Sequence, residues 1–180
     1  MNLQIITIDG PSGVGKGTLA LSLANHLCLN YLNSGSIYRA VAYLSEIENI
    51  NTGDIKEIIS LISILNIRFI TANKEFKIIC NDKDITEEIN NEKCATRASI
   101  ISSNIDVRKS LIGLQRSFYK EPGLIAEGRD MGSVIFKNSQ IKIFLTASNE
   151  IKAQRRHKQL KQKGINVSLP HLIEELDNRD

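Results

Sequence analysis

Cysteine is scarce in this chain of 180 residues. The three present, Cys28, Cys80 and Cys94, are odd in number and far apart. They support neither a disulfide framework nor metal-ligand spacing, so they read as reduced thiols of a cytosolic protein. Histidine is equally sparse, and His26, His157 and His171 form no ligand pattern. No apolar run approaches the roughly 20 residues that span a bilayer. The N-terminus passes straight into a strand, without the basic region, apolar stretch and cleavage site of a leader, so a cytoplasmic location is expected. The net charge of +3 is mild and calls for no nucleic-acid partner. Repeats and low-complexity tracts are lacking. So is the Asn-Lys-x-Asp motif of a switch GTPase, since Asn73-Lys74-Glu75-Phe76 has no aspartate in its last place.

What is present is organised around Gly10-Pro11-Ser12-Gly13-Val14-Gly15-Lys16-Gly17-Thr18. An apolar run, Leu3 to Ile8, precedes it, and Leu19, Leu23 and Leu27 follow at helical spacing. Strand, glycine-rich loop and helix form the context in which a glycine pattern becomes a phosphate site. Glycines let the backbone curl round an anion with N–H groups pointing inward. The helix N-terminus behind them adds roughly half a positive charge. Lys16 can reach the outer phosphates, and Thr18 offers a hydroxyl to Mg²⁺. The pattern departs from the common form in one place: Gly17 follows the lysine, and threonine comes one position later.

The rest of the chain reads as α/β. The spacing predicts a first helix over about 15–27, an extended piece at Tyr31-Leu32, and a second helix marked by Ile37, Val41 and Leu44. Near the start of that helix stand Tyr38 and Arg39. Taken alone, Tyr38 would be half-buried packing and Arg39 a solvated charge. Asp54 opens a third helix with Glu57 as its capping-box partner. Arg68-Phe69-Ile70 and Phe76 to Cys80 read as short strands with turns at Asn73-Lys74 and Asn81-Asp82, an antiparallel patch inserted in the α/β chain. Helices are expected over about 92–102 and 105–119, the second capped by Asn104. Leu124-Ile125-Ala126 is a short strand ending in Glu127-Gly128-Arg129-Asp130-Met131-Gly132. Charged residues between glycines just past a parallel strand lie where open α/β sheets bind ligands. Ile141 to Leu145 reads as another buried strand. Ser148 caps a helix to about Lys163 that carries Lys152, Arg155, Arg156, Lys158 and Lys161. It is closed by Gly164, and a last helix starts at Ser168 and Pro170.

Five stretches now stand in order: Ile8 to Thr18, Ser34-Gly35-Ser36-Ile37-Tyr38-Arg39, Gln115-Arg116-Ser117-Phe118, Glu127 to Gly132, and Lys142-Ile143-Phe144-Leu145. With them the chain resembles the bacterial-type cytidylate kinases, within the nucleoside monophosphate kinases, over almost its whole length. The phosphate loop alone fits many kinases, whereas the second and fourth stretches are far more specific. The resemblance implies a P-loop fold, a parallel sheet with helices on both faces, and a small antiparallel insertion in the monophosphate-binding region. It implies transfer of the γ-phosphoryl group of ATP, with Mg²⁺, to CMP or dCMP. By position, it implies that Gly10, Pro11, Ser12, Gly13, Val14, Gly15, Lys16, Gly17 and Thr18 bind ATP, with Arg155 and Arg156 near the ATP base and lid hinge. Lys16, Arg129 and Arg179 would be catalytic. Ser34, Tyr38, Arg39, Ser99, Arg108, Arg129, Asp130 and Arg179 would bind the monophosphate, with Ser99, Arg108 and Asp130 reading the cytosine edge.

The expected organisation is one kinase domain over 1–180, with a monophosphate-binding region over 33–110, its insertion near 67–97, and a lid over 153–180. Family members continue past Arg179-Asp180 with further lid residues, a strand and a helix. The expectation is therefore a truncated lid. A monomer is expected, with no membrane partner. Asn33 stands where the family usually has aspartate. Two alternatives remain: a P-loop kinase acting on UMP or AMP, and a truncated nucleotide-binding chain with little turnover.

Overall fold

A computed structural model of the chain describes residues 4–72, 75–162, 164 and 166–177. Strand β1 (Gln4–Asp9) leads through the glycine loop into α1 (Lys16–Leu27), and β2 (Asn30–Asn33) leads into α2 (Ser34–Ile47). Helix α3 (Ile55–Ser63) precedes β3 (Ile67–Ala72), β4 (Glu75–Cys80) and the short β5 (Lys83–Asp84). Helices α4 (Glu92–Ser103) and α5 (Ile105–Arg116) follow, then β6 (Gly123–Gly128), a π-helical turn at Met131–Ile135, β7 (Ile141–Phe144), α6 (Asn149–Gln162) and α7 (Leu169–Asp177).

The main sheet is parallel, in the order β2-β6-β1-β7, and a second, antiparallel sheet runs β3-β4-β5. In β1 every residue but Gln4 is buried, and in β6 every residue but Gly128, as in strands covered on both faces. Alternation then decides which helix each side chain meets. Ile5, Leu32, Leu124 and Ala126 join the core formed with α2, α3, α4 and α5. Ile6, Ile8, Tyr31 and Ile125 join the core under α1. The antiparallel sheet packs on the larger core through Ile67, Ile78 and Cys80.

Helix starts follow their caps. Asn33 Oδ1 accepts from the Ser36 amide, so α2 begins at Ser34, ahead of the first apolar stripe residue. Asp54 Oδ1 accepts from the Glu57 amide, and Asn104 Oδ1 accepts from the amides of Asp106 and Val107. Helix α5 ends at Arg116, short of the expected Tyr119.

Strand β7 corrects one expectation. Among the described residues it pairs with β1 alone, Ile141 and Phe144 are exposed, and Phe144 keeps 70% of its surface in solvent. Its apolar residues resemble those of a covered strand, but it stands at the edge of the sheet. The turn expected at Asn73-Lys74 lies outside the described residues, as do Lys163, Arg179 and Asp180. Among the described residues no helix is long and apolar enough to cross a membrane. Cys28, Cys80 and Cys94 are all free thiols.

Leu32 is fully buried between β6 and the helices of the larger core, whereas Ile64 is 70% exposed. Leu32→Ala is expected to cost about 2–5 kcal/mol in equilibrium denaturation, through lost burial and the cavity left behind. Ile64→Ala should move stability by no more than about 0.5 kcal/mol.

Candidate active site

The loop after β1 and the loop after β6 lie side by side, because Asp9 pairs with Gly128 in the register of the two strands. Gly13 and Gly15 adopt φ of 79° and 90°, the left-handed region that favours glycine. Gly15 is also the residue before α1, so no side chain caps that helix, and its first N–H groups stay open to an anion. Lys16 folds back over the loop, and its Nζ donates to the Pro11 carbonyl at 2.7 Å. Burial pulls the Lys16 ammonium below its ordinary pKa. The Glu127 charge opposes that pull, Arg129 adds to it, and Asp9 opposes it. Lys16, Glu127, Arg129 and Asp9 therefore share one electrostatic neighbourhood.

Asp9 holds the two loops together. Its buried carboxylate accepts from the amide of Met131 at 2.8 Å and of Gly132 at 2.9 Å. Two oxygens facing two fixed N–H groups set the backbone just beyond Arg129 and Asp130. Glu127 is buried as well, and its Oε1 accepts a hydrogen bond from the Tyr31 hydroxyl at 2.5 Å. Burial raises its carboxyl pKa, against the opposing pull of Tyr31 and Lys16. A Cβ on Gly17 would lie 3.1 Å from Glu127 Oε1. That is the physical reason for glycine directly after the lysine: any side chain there would press on a buried carboxylate.

A second cluster forms around Asp130. Arg108 Nη2, from α5, donates to Asp130 Oδ2 at 2.5 Å. Tyr38 is half-buried, and burial raises its phenol pKa, with the Arg108 charge lowering it and the Asp130 charge raising it. Ser34 is buried and donates to Gln115 Oε1 at 3.0 Å. Arg39 donates through Nη1 to the carbonyls of Ile89 at 2.8 Å and Asn91 at 3.3 Å. Arg129 and Ser99 are exposed.

Helix α6 lies on the glycine loop. Arg155 Nη1 donates to the Val14 carbonyl at 2.6 Å, and Lys152 is buried with its stem 3.6 Å from the Cβ position of Gly13. Arg156 forms an ion pair with Glu92 in the first turn of α4. The basic run on α6 is thus only partly a solvated face. Of the residues singled out from sequence, the phosphate loop, Lys16, Arg129 and Arg155 fall together. Tyr38, Arg108 and Asp130 form the second group. Thr18 is exposed, and Arg179 lies outside the described residues. Sequence reasoning missed Asp9 and Tyr31 as site residues, and their signal was position: Asp9 ends β1, and Tyr31 shares a strand with Asn33.

The cytidylate kinase family model matches residues 6–180. The chain is 44% identical over 178 residues to the cytidylate kinase of Methylococcus capsulatus, covering 99% of this chain and 80% of the relative. It is 44% identical over 179 residues to that of Nitrosomonas europaea, covering 99% and 78%. With that of Pasteurella multocida it shares 42% over 179 residues, covering 99% and 79%.

Asp9→Asn keeps the side-chain shape but turns an amide NH₂ toward one of two backbone N–H donors. A loss of about 1–3 kcal/mol in urea denaturation is expected, as for a buried polar group left without its partner. Unchanged stability would mean that these two hydrogen bonds do not hold the loop.

Proposed function

We propose, starting from the fact that the chain belongs to the cytidylate kinase family, that it transfers the γ-phosphoryl group of ATP to CMP or dCMP, giving CDP or dCDP. What supports this most is the meeting of the glycine loop and the Arg129-Asp130 loop on neighbouring strands, bridged by Asp9, with Lys16 in the field of both Glu127 and Arg129.

On this reading the backbone of Gly10 to Thr18 and the open N-terminus of α1 receive the triphosphate. Lys16 leaves the Pro11 carbonyl for the phosphates and neutralises charge as the phosphoryl group moves. Arg129, Arg39 and Arg179 receive the phosphate of the acceptor. Phosphoryl transfer needs in-line placement and charge compensation more than a general base, and these cations supply both. Arg155 and Arg156, on the helix above the loop, serve the ATP side, and closure of that side excludes water.

Among the described residues there is no cluster of three or more His, Cys, Asp or Glu side chains able to cage a metal ion. Mg²⁺ keeps waters and phosphate oxygens as most of its ligands and needs no such cage. Glu127 and Thr18 are the hard oxygen donors that would hold it. When bound, it neutralises charge on the β- and γ-phosphates.

Base choice rests on the Arg108–Asp130 pair, with Ser34, Tyr38 and Ser99 as further pocket residues. Cytosine presents an amino donor beside ring acceptors, and uracil reverses that order. A carboxylate acceptor next to a guanidinium donor therefore matches cytosine, and uracil would leave the pair unsatisfied at a cost on the order of 1–3 kcal/mol. A location in the cytoplasm goes with these substrates, and the monophosphate region, with its antiparallel insertion, and the lid are the moving parts.

Two outcomes test this. Lys16→Ala is expected to lower turnover of ATP with CMP by at least about 10²-fold, the scale of losing one preorganised charge-stabilising group. Asp130→Ala is expected to reduce the preference for CMP over UMP by roughly 5–150-fold, the equivalent of about 1–3 kcal/mol. A coupled ATP-consumption assay with CMP, dCMP, UMP and AMP reads both. Equal turnover of UMP and CMP by the intact protein would reject the assignment.

A further inference from the structure

Asn33 and Glu127 are register partners across β2 and β6, and Tyr31 lies two residues before Asn33 on the same face of β2. Asn33 Oδ1 is committed to the α2 cap, where it accepts from the Ser36 amide at 2.9 Å. Its NH₂ is thereby turned toward the Tyr31 hydroxyl oxygen, to which it donates at 3.3 Å. The hydroxyl in turn donates to Glu127 Oε1 at 2.5 Å. The direction of the chain is fixed, because an amide NH₂ can only donate and Glu127 accepts. Glu127 Oε1 is the oxygen that lies 3.1 Å from the Cβ position of Gly17, next to Lys16 in the first turn of α1.

The tyrosine ring is held from the other side. Tyr31 meets Phe76 edge-on at 5.1 Å and Phe69 at 6.3 Å, and Phe69 packs on Phe118 at 5.2 Å. Phe69 and Phe76 belong to β3 and β4, so the antiparallel sheet reaches the phosphate loop through this ring.

We propose that Tyr31 is a positioning residue for phosphoryl transfer, the middle member of an Asn33–Tyr31–Glu127 relay that fixes the Glu127 carboxylate against the phosphate loop. This rests on the kinase reading given above. It also assigns a role to asparagine at position 33. An aspartate there would cap α2 equally well but would offer Tyr31 a second acceptor. One hydroxyl proton cannot serve both carboxylates, and the hold on Glu127 would be divided.

Tyr31→Phe keeps the ring and removes the hydroxyl. It is expected to lower kcat with ATP and CMP about tenfold, with KM for CMP within about twofold, because Glu127 touches the phosphate loop and not the base pocket. Asn33→Asp, which keeps the helix cap, is expected to lower kcat severalfold in the same pattern. In a Glu127→Gln background, Tyr31→Phe should add less than about twofold, since a relay has nothing left to position. Wild-type kcat in either single variant, or a tenfold effect of Tyr31→Phe that persists in the Glu127→Gln background, would overturn the relay. If the intact protein fails to phosphorylate CMP, the acceptor assignment falls instead. The same cycle read as Mg²⁺·ATP affinity by calorimetry then decides the relay: non-additive losses support it, and additive losses or none reject it.

Discussion

A buried carboxylate without partners would be expelled or protonated, so the two backbone amides that meet Asp9 are the constraint on which the rest of the site depends. Asp9 ends β1, and its backbone carbonyl also accepts from the Leu145 amide just past β7. One residue therefore ties three segments distant in sequence: the glycine loop it precedes, the turn after Asp130, and the start of the segment leading to α6. Because β6 lies directly beside β1, the tie needs no long linker. The cations of the two loops approach each other through the pairing of two strands, and Lys16 accordingly feels both Glu127 and Arg129.

Close approach imposes a second demand, met by glycine. A Cβ on Gly10 would overlap the Leu145 carbonyl oxygen, in a backbone conformation of φ 147° that already disfavours side chains. Gly17 leaves room for Glu127, as described above. The departure from the commoner phosphate-loop pattern and the buried carboxylate are thus two sides of one packing solution. The carboxylate stands where a side chain at position 17 would otherwise crowd it.

The parts of this arrangement that were legible in the sequence are those written in local spacing. The phosphate loop, the stripes of α2, α3 and α5, and the caps at Asp54 and Asn104 depend on residues within a few positions of each other. The antiparallel patch could be read from turn residues between short apolar runs. The rest depends on partners far along the chain. Nothing near Tyr31 announces Glu127, 96 positions away, and nothing near Asp9 announces the amides of Met131 and Gly132. The burial of Lys152 follows from α6 lying on the glycine loop, which no count of charges reveals. Strand β7 misled for the opposite reason: Ile141 and Phe144 look like core residues, yet burial belongs to the neighbours a strand has and not to its composition. The roles proposed for Arg39 and Arg108 rest on family resemblance, and their pattern alone reads as surface charge, whereas the Asp130 loop is marked as a ligand site by its place between glycines just past a parallel strand.

Four cations of the site already have protein partners before any substrate arrives. Lys16 is on Pro11, Arg39 on Ile89 and Asn91, Arg108 on Asp130, and Arg155 on Val14. Under the proposed function Lys16, Arg39 and Arg155 would exchange neutral carbonyls for phosphate oxygens, whereas the Arg108–Asp130 pair would meet the base as a unit, so binding energy is a difference between two sets of hydrogen bonds. A carbonyl is the weaker acceptor, and a charge-assisted bond to phosphate is roughly twice as strong as a neutral one. Lys16, Arg39 and Arg155 are therefore held in place and remain available. Arg108 is held by a full charge and gives it up least readily. That ordering makes phosphate capture permissive and base recognition selective, since a base must satisfy donor and acceptor together without breaking the Arg108–Asp130 pair apart.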